Sequence, residues 1–269
     1  EMFAKAGLKA GGENGTWVQS IPLQDIRVET EGTSFTLVPE LSERAVKKLV
    51  FLHQISVRAT DKLPAKMEGQ LAFRGYCVSG KMGDVRDKVA VCFGARRAGM
   101  TSGGERMKAA ADAGAIGIIN VDDPGFTIEP ARWPDAYARS VGFRDAPAPA
   151  YAAMPVMRLS AEAFTEMLQG SGKDGRAILA DGAASRDLPS FDLPTKLEAT
   201  FKTSKRLLLS ENILALLPGV DPKLKDEVVV VSAHLDGYGF GEPVNRDRLY
   251  NGAFDDAAYV ATLIRLAEA

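Results

Sequence analysis

The chain has 269 residues, 46% of them hydrophobic and 25% charged, enough apolar side chain to fill one large or two ordinary domains. Its 33 Lys and Arg nearly balance 35 Asp and Glu, so no field of one sign covers the molecule, and nucleic acid and anionic membranes are disfavoured as partners. No apolar run approaches the roughly 20 residues that cross a bilayer, and no export signal follows Glu1; an opening at Glu1 and an end at Ala269 within a helical pattern suggest that both ends are cut.

In the opening block Asn14-Gly15 marks a turn, and the imperfect alternation over 17–28 predicts a strand. Ser42 and Glu43 ahead of Val46, Leu49, Val50 and His53 suggest a capped helix. Short apolar runs at 70–79 and 88–93, separated by a Gly/Lys/Asp-rich turn, predict successive buried strands. Cys77 and Cys92 fall in these runs without Cys-x-x-Cys spacing. They read first as two buried thiols, with a disulfide between neighbouring strands as the alternative.

Residues 105–113 favour helix, Gly114 ends it, and 116–121 predict a buried strand. A proline-containing irregular stretch, 126–153, precedes a strand at 154–159 and a helix at 161–168. Between 170 and 194 the composition turns to Gly, Ala, Ser, Asp and Pro, which makes this segment the expected interdomain connection. Strands are expected at 197–201 and 213–217, and the four consecutive valines within 227–232 predict a central strand buried on both faces.

His234 and Asp236 follow the valine run, at what would be the carboxyl end of a strand, the edge where open α/β sheets bind ligands. After a Gly-rich loop, Asn251-Gly252-Ala253-Phe254-Asp255-Asp256 precedes a helix with an apolar face of Val260, Leu263, Ile264 and Ala267. Imidazole and carboxylate are natural zinc ligands, and an aspartate can bridge two ions about 3.5 to 4 Å apart. His234 and Asp255 are therefore the candidate ligands, with Asp236 placed to fix the imidazole's tautomer and orientation. The same residues are also compatible with a satisfied strand-end histidine and a helix N-cap. His53 matches no ligand motif, and neither a Gly-x-Ser-x-Gly elbow nor a phosphate-binding Gly-x-x-x-x-Gly-Lys-Ser/Thr loop occurs.

Residues 228–236, followed by Asp247-Arg248-Leu249-Tyr250-Asn251-Gly252-Ala253-Phe254-Asp255-Asp256-Ala257, resemble the segment of M28 peptidases that runs from the first zinc histidine to the bridging aspartate. The resemblance implies that His234 binds one zinc, that Asp255 bridges two, that Asp236 supports His234, and that the Asp255-Asp256 peptide is cis. Where the family places Ser-Gly, this chain has Ala258-Tyr259, which implies different helix packing near the site. The family's catalytic glutamate, its remaining carboxylate ligands and its second zinc histidine match nothing in these residues, so the chain by itself is expected to be inactive.

A second resemblance covers roughly 63–181, where Leu71-Ala72-Phe73-Arg74-Gly75-Tyr76 and 108–124 look like the protease-associated domain inserted in many such enzymes. It is noncatalytic in the family and thought to shape substrate access. Together these imply an α/β fold: a partial zinc-peptidase sheet domain with an inserted β-rich α+β protease-associated domain. Expected boundaries are 1–62 for the N-terminal peptidase segment, 63–182 for the insert and 183–269 for the start of the catalytic domain. The implied activity is a zinc aminopeptidase acting on peptides, periplasmic or secreted. The alternatives are a noncatalytic peptide- or protein-binding module on the same scaffold and, among zinc hydrolases, an enzyme acting on a carboxy-terminal residue or cyclising glutamine.

Overall fold

The computed structural model describes residues 1–40, 45–95, 97–126, 134–148 and 151–269. In chain order its elements are α1 (Met2–Lys5), β1 (Lys9–Ala10), β2 (Val18–Val28), β3 (Ser34–Pro39), β4 (Lys47–Leu49), β5 (Ile55–Val57), β6 (Lys66–Arg74), β7 (Val89–Phe93), α2 (Gly103–Asp112) and β8 (Gly117–Val121). There follow β9 (Arg139–Phe143), β10 (Val156–Leu159), α3 (Ala161–Met167), α4 (Gly175–Ala183), β11 (Ser190–Thr200), β12 (Thr203–Ile213), β13 (Ala215–Leu216), β14 (Gly239–Val244), β15 (Asp247–Tyr250) and α5 (Ala258–Glu268). The fold is mixed α/β, and contacts divide it into two compact units: Gln24–Arg206, and Glu1–Leu23 together with Leu207–Ala269.

The Gln24–Arg206 unit is built on an eight-stranded sheet of order β4-β3-β11-β6-β7-β8-β10-β5. Strands β6, β7, β8 and β10 run parallel, and antiparallel strands flank them on both sides. Alternation along β6 and β7 sorts the residues onto two faces. Leu71, Phe73, Val89, Val91 and Phe93 join Phe164 and Met167 from α3, and Ile178 and Leu179 from α4, in the larger core cluster. Ala72, Ala90 and Cys92 point the other way and meet Ala109 and Ala110 of α2. Small residues on both partners let α2 lie close to the sheet, whereas the opposite face is filled by phenylalanines, each contributing about 1.5 to 3 kcal/mol by burial. Gly182 of α4 sits against the Phe93 ring, where a Cβ would come within 2.5 Å of ring carbon.

Helix α2 forms where 105–113 predict it and begins earlier, at Gly103. Ser102 accepts a hydrogen bond from the Glu105 N–H at 3.2 Å, and the Glu105 carboxylate accepts one from the Ser102 N–H at 2.7 Å, a capping box. The strands expected at 17–28, 88–93, 116–121 and 154–159 and the helix at 161–168 also form with small shifts at their ends, whereas the strand expected at 70–79 is Lys66–Arg74 and that expected at 197–201 begins at Ser190.

Several expectations are corrected. Residues 46–53 are not a helix but β4 and a turn, with Lys47–Leu49 paired to β3; Ser42 and Glu43 lie outside the described residues. The segment 170–194 is not an interdomain connection, since it contains α4 and the start of β11. The boundaries expected at 62/63 and 182/183 fall inside the Gln24–Arg206 unit, because β3, β4, β5 and β11 pair into the same sheet as β6 to β8. Of the stretch 126–153, the described part contains β9 and a 3-10 turn at Pro134–Ala138. Cys77 and Cys92 are not free thiols but a disulfide, with Cα atoms 5.5 Å apart, buried in the small-residue layer.

The structure adds a buried ion cluster that the sequence did not announce. The Asp25 carboxylate on β2 is only 1% exposed and is met by Arg139 of β9 at 2.8 Å, Arg27 at 3.1 Å and Arg206 of β12 at 3.4 Å. Hydrogen bonding from Arg139, against the opposing effect of burial and with help from Arg27, lowers its pKa from 3.8 to about 2. A depressed carboxylate pKa adds stability that is fully present above pH 4 and is lost as the pH falls through about 2; the shift corresponds to about 2 kcal/mol. Asp25→Asn should therefore lower urea stability by about this amount at pH 7 and flatten the acid limb. Equal acid sensitivity of the two proteins between pH 4 and 2 would rule the linkage out.

In the second unit β1 pairs with β13, and β14 pairs with β15 as an antiparallel hairpin. The four valines 228–231 form no strand and are between 57% and 90% exposed, so the expected central strand is absent. A β-branched run becomes a strand only where neighbours take up its N–H and C=O groups. Among the described residues no strand pairs with it.

Candidate metal centre

His234 and Asp236 leave an irregular segment, not the end of a sheet strand, and the residues between them and Asp255 fold as the β14–β15 hairpin. Its two-residue turn is Asn245-Arg246, with φ of 51° and 72°, and Val244 faces Asp247 across it. Positive φ at both central positions matches the twist of a tight hairpin. At the open end of the hairpin a Cβ on Gly237 would lie 3.5 Å from the Gly252 Cα, and one on Gly252 would lie 2.8 Å from the Asp255 carbonyl oxygen. A side chain at Gly252 would thus collide with the Asp255 main chain, so this glycine permits the turn that carries Asp255.

The approach brings the predicted residues together. His234 Nε2 lies 3.2 Å from Asp255 Oδ1. His234 Nδ1 lies 3.0 Å from the Asp236 main-chain carbonyl and 3.3 Å from its carboxylate, so the carbonyl is the closer partner and the carboxylate the secondary one. An Nδ1–H donated to that carbonyl leaves the Nε2 lone pair facing Asp255. The peptide between Asp255 and Asp256 is cis.

Asp256, to which the sequence reading gave no role of its own, accepts the His234 main-chain N–H at 3.2 Å. It thereby ties the histidine to the start of the helical segment. Its one sequence signal is its place as the second member of the acidic pair. The imidazole pKa is raised, first by the hydrogen bond to the Asp236 carbonyl, against the opposing effect of desolvation and with help from the carboxylates of Asp256, Asp236 and Asp255. Surroundings that favour a proton on this ring also favour a divalent cation beside it.

The donors fit zinc in chemistry and spacing. Two ligands bound to one tetrahedral zinc at about 2.0 to 2.1 Å lie roughly 3.3 Å apart, close to the separation of Nε2 and Oδ1. The imidazole is 53% exposed and open to an incoming ion. Among the described residues no group of three or more His, Cys, Asp or Glu is gathered to hold a metal. His53 lies exposed in the turn before β5.

Residues 212–269 match the model of Peptidase family M28. None of the curated proteins matches the chain by sequence. Among solved structures the fold is similar to that of an aminopeptidase from Aneurinibacillus sp. strain AM-1, with a TM-score of 0.51 and 15% identity over 99% of this chain; the chain spans 50% of that protein's length. A match to the psychrophilic subtilisin-like protease Apa1 from the Antarctic psychrotroph Pseudoalteromonas sp. AS-11 covers 68% of this chain and 33% of that one at 15% identity, with a TM-score of 0.27, too low for any inference. The fold of the chain is thus similar to that of the Aneurinibacillus aminopeptidase, and its segment 212–269, which contains His234, Asp236 and Asp255, matches the model of Peptidase family M28.

Proposed function

We propose that the chain is part of a zinc-dependent aminopeptidase that removes the amino-terminal residue of peptides. The observation that carries this reading is the 3.2 Å approach of His234 Nε2 to Asp255 Oδ1 across a hairpin, within the segment that matches the family. His234 and Asp255 would hold zinc, with Asp255 as the bridge between two ions. Bound zinc polarises a substrate carbonyl and lowers the pKa of a bound water toward about 7.

The chain's own residues contribute orientation. The Asp236 carbonyl keeps the proton on Nδ1 and the lone pair on Nε2, and Asp256 anchors the main chain of His234. Two protein donors hold zinc weakly, because catalytic zinc takes three from the protein. The glutamate base and the other ligands that the resemblance implies have no counterpart here, so these 269 residues should not hydrolyse peptides by themselves.

We take residues 63–182, within the Gln24–Arg206 unit, as a protease-associated-like insert, noncatalytic and acting on substrate access. Export to the periplasm or outside the cell is supported by the Cys77–Cys92 disulfide, since such bonds persist in oxidising compartments. Among the described residues no helix is long and apolar enough to cross a membrane.

Calorimetric titration with zinc tests the site. The chain should bind weakly, and His234→Ala and Asp255→Asn should each reduce affinity about tenfold or more, with Asp236→Ala smaller because the main-chain carbonyl remains. Zinc affinity indifferent to both ligand substitutions would remove the metal centre and leave the noncatalytic binding module as the reading. Turnover of aminoacyl p-nitroanilides by these residues alone would show that the base is present after all.

A further inference from the structure

In the sheet of order β12-β2-β9, β12 (Thr203–Ile213) is an outer strand, and among the described residues no strand pairs with its far side. All of its residues except Leu208 are exposed. Two main-chain bonds fix how it lies on β2: the Glu29 N–H donates to the Lys202 carbonyl at 2.7 Å, and the Leu214 N–H donates to the Trp17 carbonyl at 2.8 Å. The strands are therefore antiparallel, and the even-numbered positions of β12 turn their main chain to β2. By the alternation of an antiparallel ladder, Lys205, Leu207, Leu209 and Glu211 turn their N–H and C=O groups away from it. An 11-residue edge with no proline in it is a template for another strand.

The side chains select which strand fits. Leu207 and Leu209 are 57% and 66% exposed, and Lys205 and Glu211 flank them on the same face. If two copies of β12 pair about a two-fold axis, outward positions must meet outward positions, so the axis passes through a residue and not between two. With the axis at Leu208, Lys205 lies opposite Glu211 of the second copy and Leu207 opposite its Leu209. An axis at Leu207 would set Lys205 against leucine and Glu211 against threonine, and one at Leu209 would set them against isoleucine and leucine. Only the register centred on Leu208 matches charge with opposite charge and leucine with leucine.

We infer that the chain forms a two-fold dimer by antiparallel pairing of β12 with β12 of a second copy, centred on Leu208. Main-chain hydrogen bonds from the outward positions join the two edges, the leucines of both copies cover one another, and the Lys205–Glu211 pairs at either end fix the register. Lys205, which also reaches Asp61 at 3.3 Å, keeps further N–H groups for the second carboxylate. The inference does not depend on the metal centre.

Sedimentation equilibrium and cysteine cross-linking of the 269-residue chain test it. The unaltered chain should be dimeric at about 0.1 mM. Glu211→Lys should weaken the dimer about tenfold, and adding Lys205→Glu should restore it to within about threefold. Leu208→Cys, treated with oxidised glutathione, should cross-link to its own copy, because facing residues of a non-hydrogen-bonded pair have Cα atoms about 4.5 Å apart, within disulfide reach. Leu209→Cys should not, since its own copy lies on the diagonal, about 7 to 8 Å away. Cys77 and Cys92 are buried in their own disulfide and do not compete. A monomer up to about 1 mM overturns the inference without need of any variant. Equal cross-linking of Leu208→Cys and Leu209→Cys also overturns it, as does a dimer that cross-links at neither, which would place the contact on another surface such as the exposed valines 228–231.

Discussion

Arg74→Met should destabilise the Gln24–Arg206 unit by about 4 kcal/mol, the largest single-site effect we expect in this protein. Arg74 ends β6 with its guanidinium buried, and every face of the fork is used. Nε donates to the Met82 carbonyl at 2.7 Å, Nη1 to those of Phe73 and Phe191 at 3.0 Å, and Nη2 to that of Asp84 at 3.0 Å and to the Asp192 carboxylate. These bonds hold the connection from β6 to β7, two parallel strands joined without a helix.

Methionine keeps much of the volume but leaves four carbonyls without this donor. At about 1 kcal/mol for each lost hydrogen bond the sum is near 4, which agrees with the 3 to 5 kcal/mol typical of breaking a buried charged contact. Asp192 retains Lys88 at 2.7 Å and partial exposure to water, so it adds little. For a unit of this size the loss corresponds to a melting temperature lower by roughly 10 °C. Urea unfolding is the direct measurement; a change below about 1 kcal/mol would mean that water replaces the guanidinium without loss. Arg74→Lys should recover only part, since an ammonium cannot span four carbonyls from one position.

Replacing both Cys77 and Cys92 by Ala should cost about 3 kcal/mol, the loop-closure value for a cross-link of about 15 residues; the separation here is 15. Both cysteines are fully buried among Ala72, Ala90, Met82 and Val85, so reductant should reach the bond only as the unit opens. The Cys77 N–H also donates to the Arg74 carbonyl at 2.8 Å. The guanidinium and the disulfide thus fasten the same connection, and their losses should be non-additive by about 0.5 to 3 kcal/mol in a double-mutant cycle. Strict additivity would show that the two fasten it independently. Stability unchanged in the double alanine variant would show that the disulfide contributes nothing.

Much of the parallel part of the sheet was legible because its signals are local. The apolar runs of β6 and β7, the helix-favouring residues 105–113 of α2 and Gly114 after them state their conformations within a few residues. Asp25 was not legible, since its partners Arg139 and Arg206 reach it from β9 and β12. The boundaries expected at 62/63 and 182/183 lie within one unit for the same reason: β3 gave no strand signal, β4 read as helix, and only hydrogen bonding to β11 assigns them to the sheet of β6 to β8. The valine run failed in the opposite sense. Its local preference is strong, yet strand formation needs a neighbour, and none pairs with it among the described residues.

The sequence by itself determined which residues could carry the chemistry, because imidazole and carboxylate are written in the residue types and their order along 234–256. The tertiary structure decided that His234 and Asp255 meet at 3.2 Å, that the Asp236 carbonyl is the closer partner of the imidazole, and that Asp256 secures the histidine's backbone. It did so through a hairpin whose Asn245-Arg246 turn takes left-handed φ at both positions and through Gly252, where a Cβ would meet the Asp255 carbonyl oxygen. Conformational preference is a property of neighbours in the chain, whereas contact across a closed loop depends on the geometry of every residue between its ends.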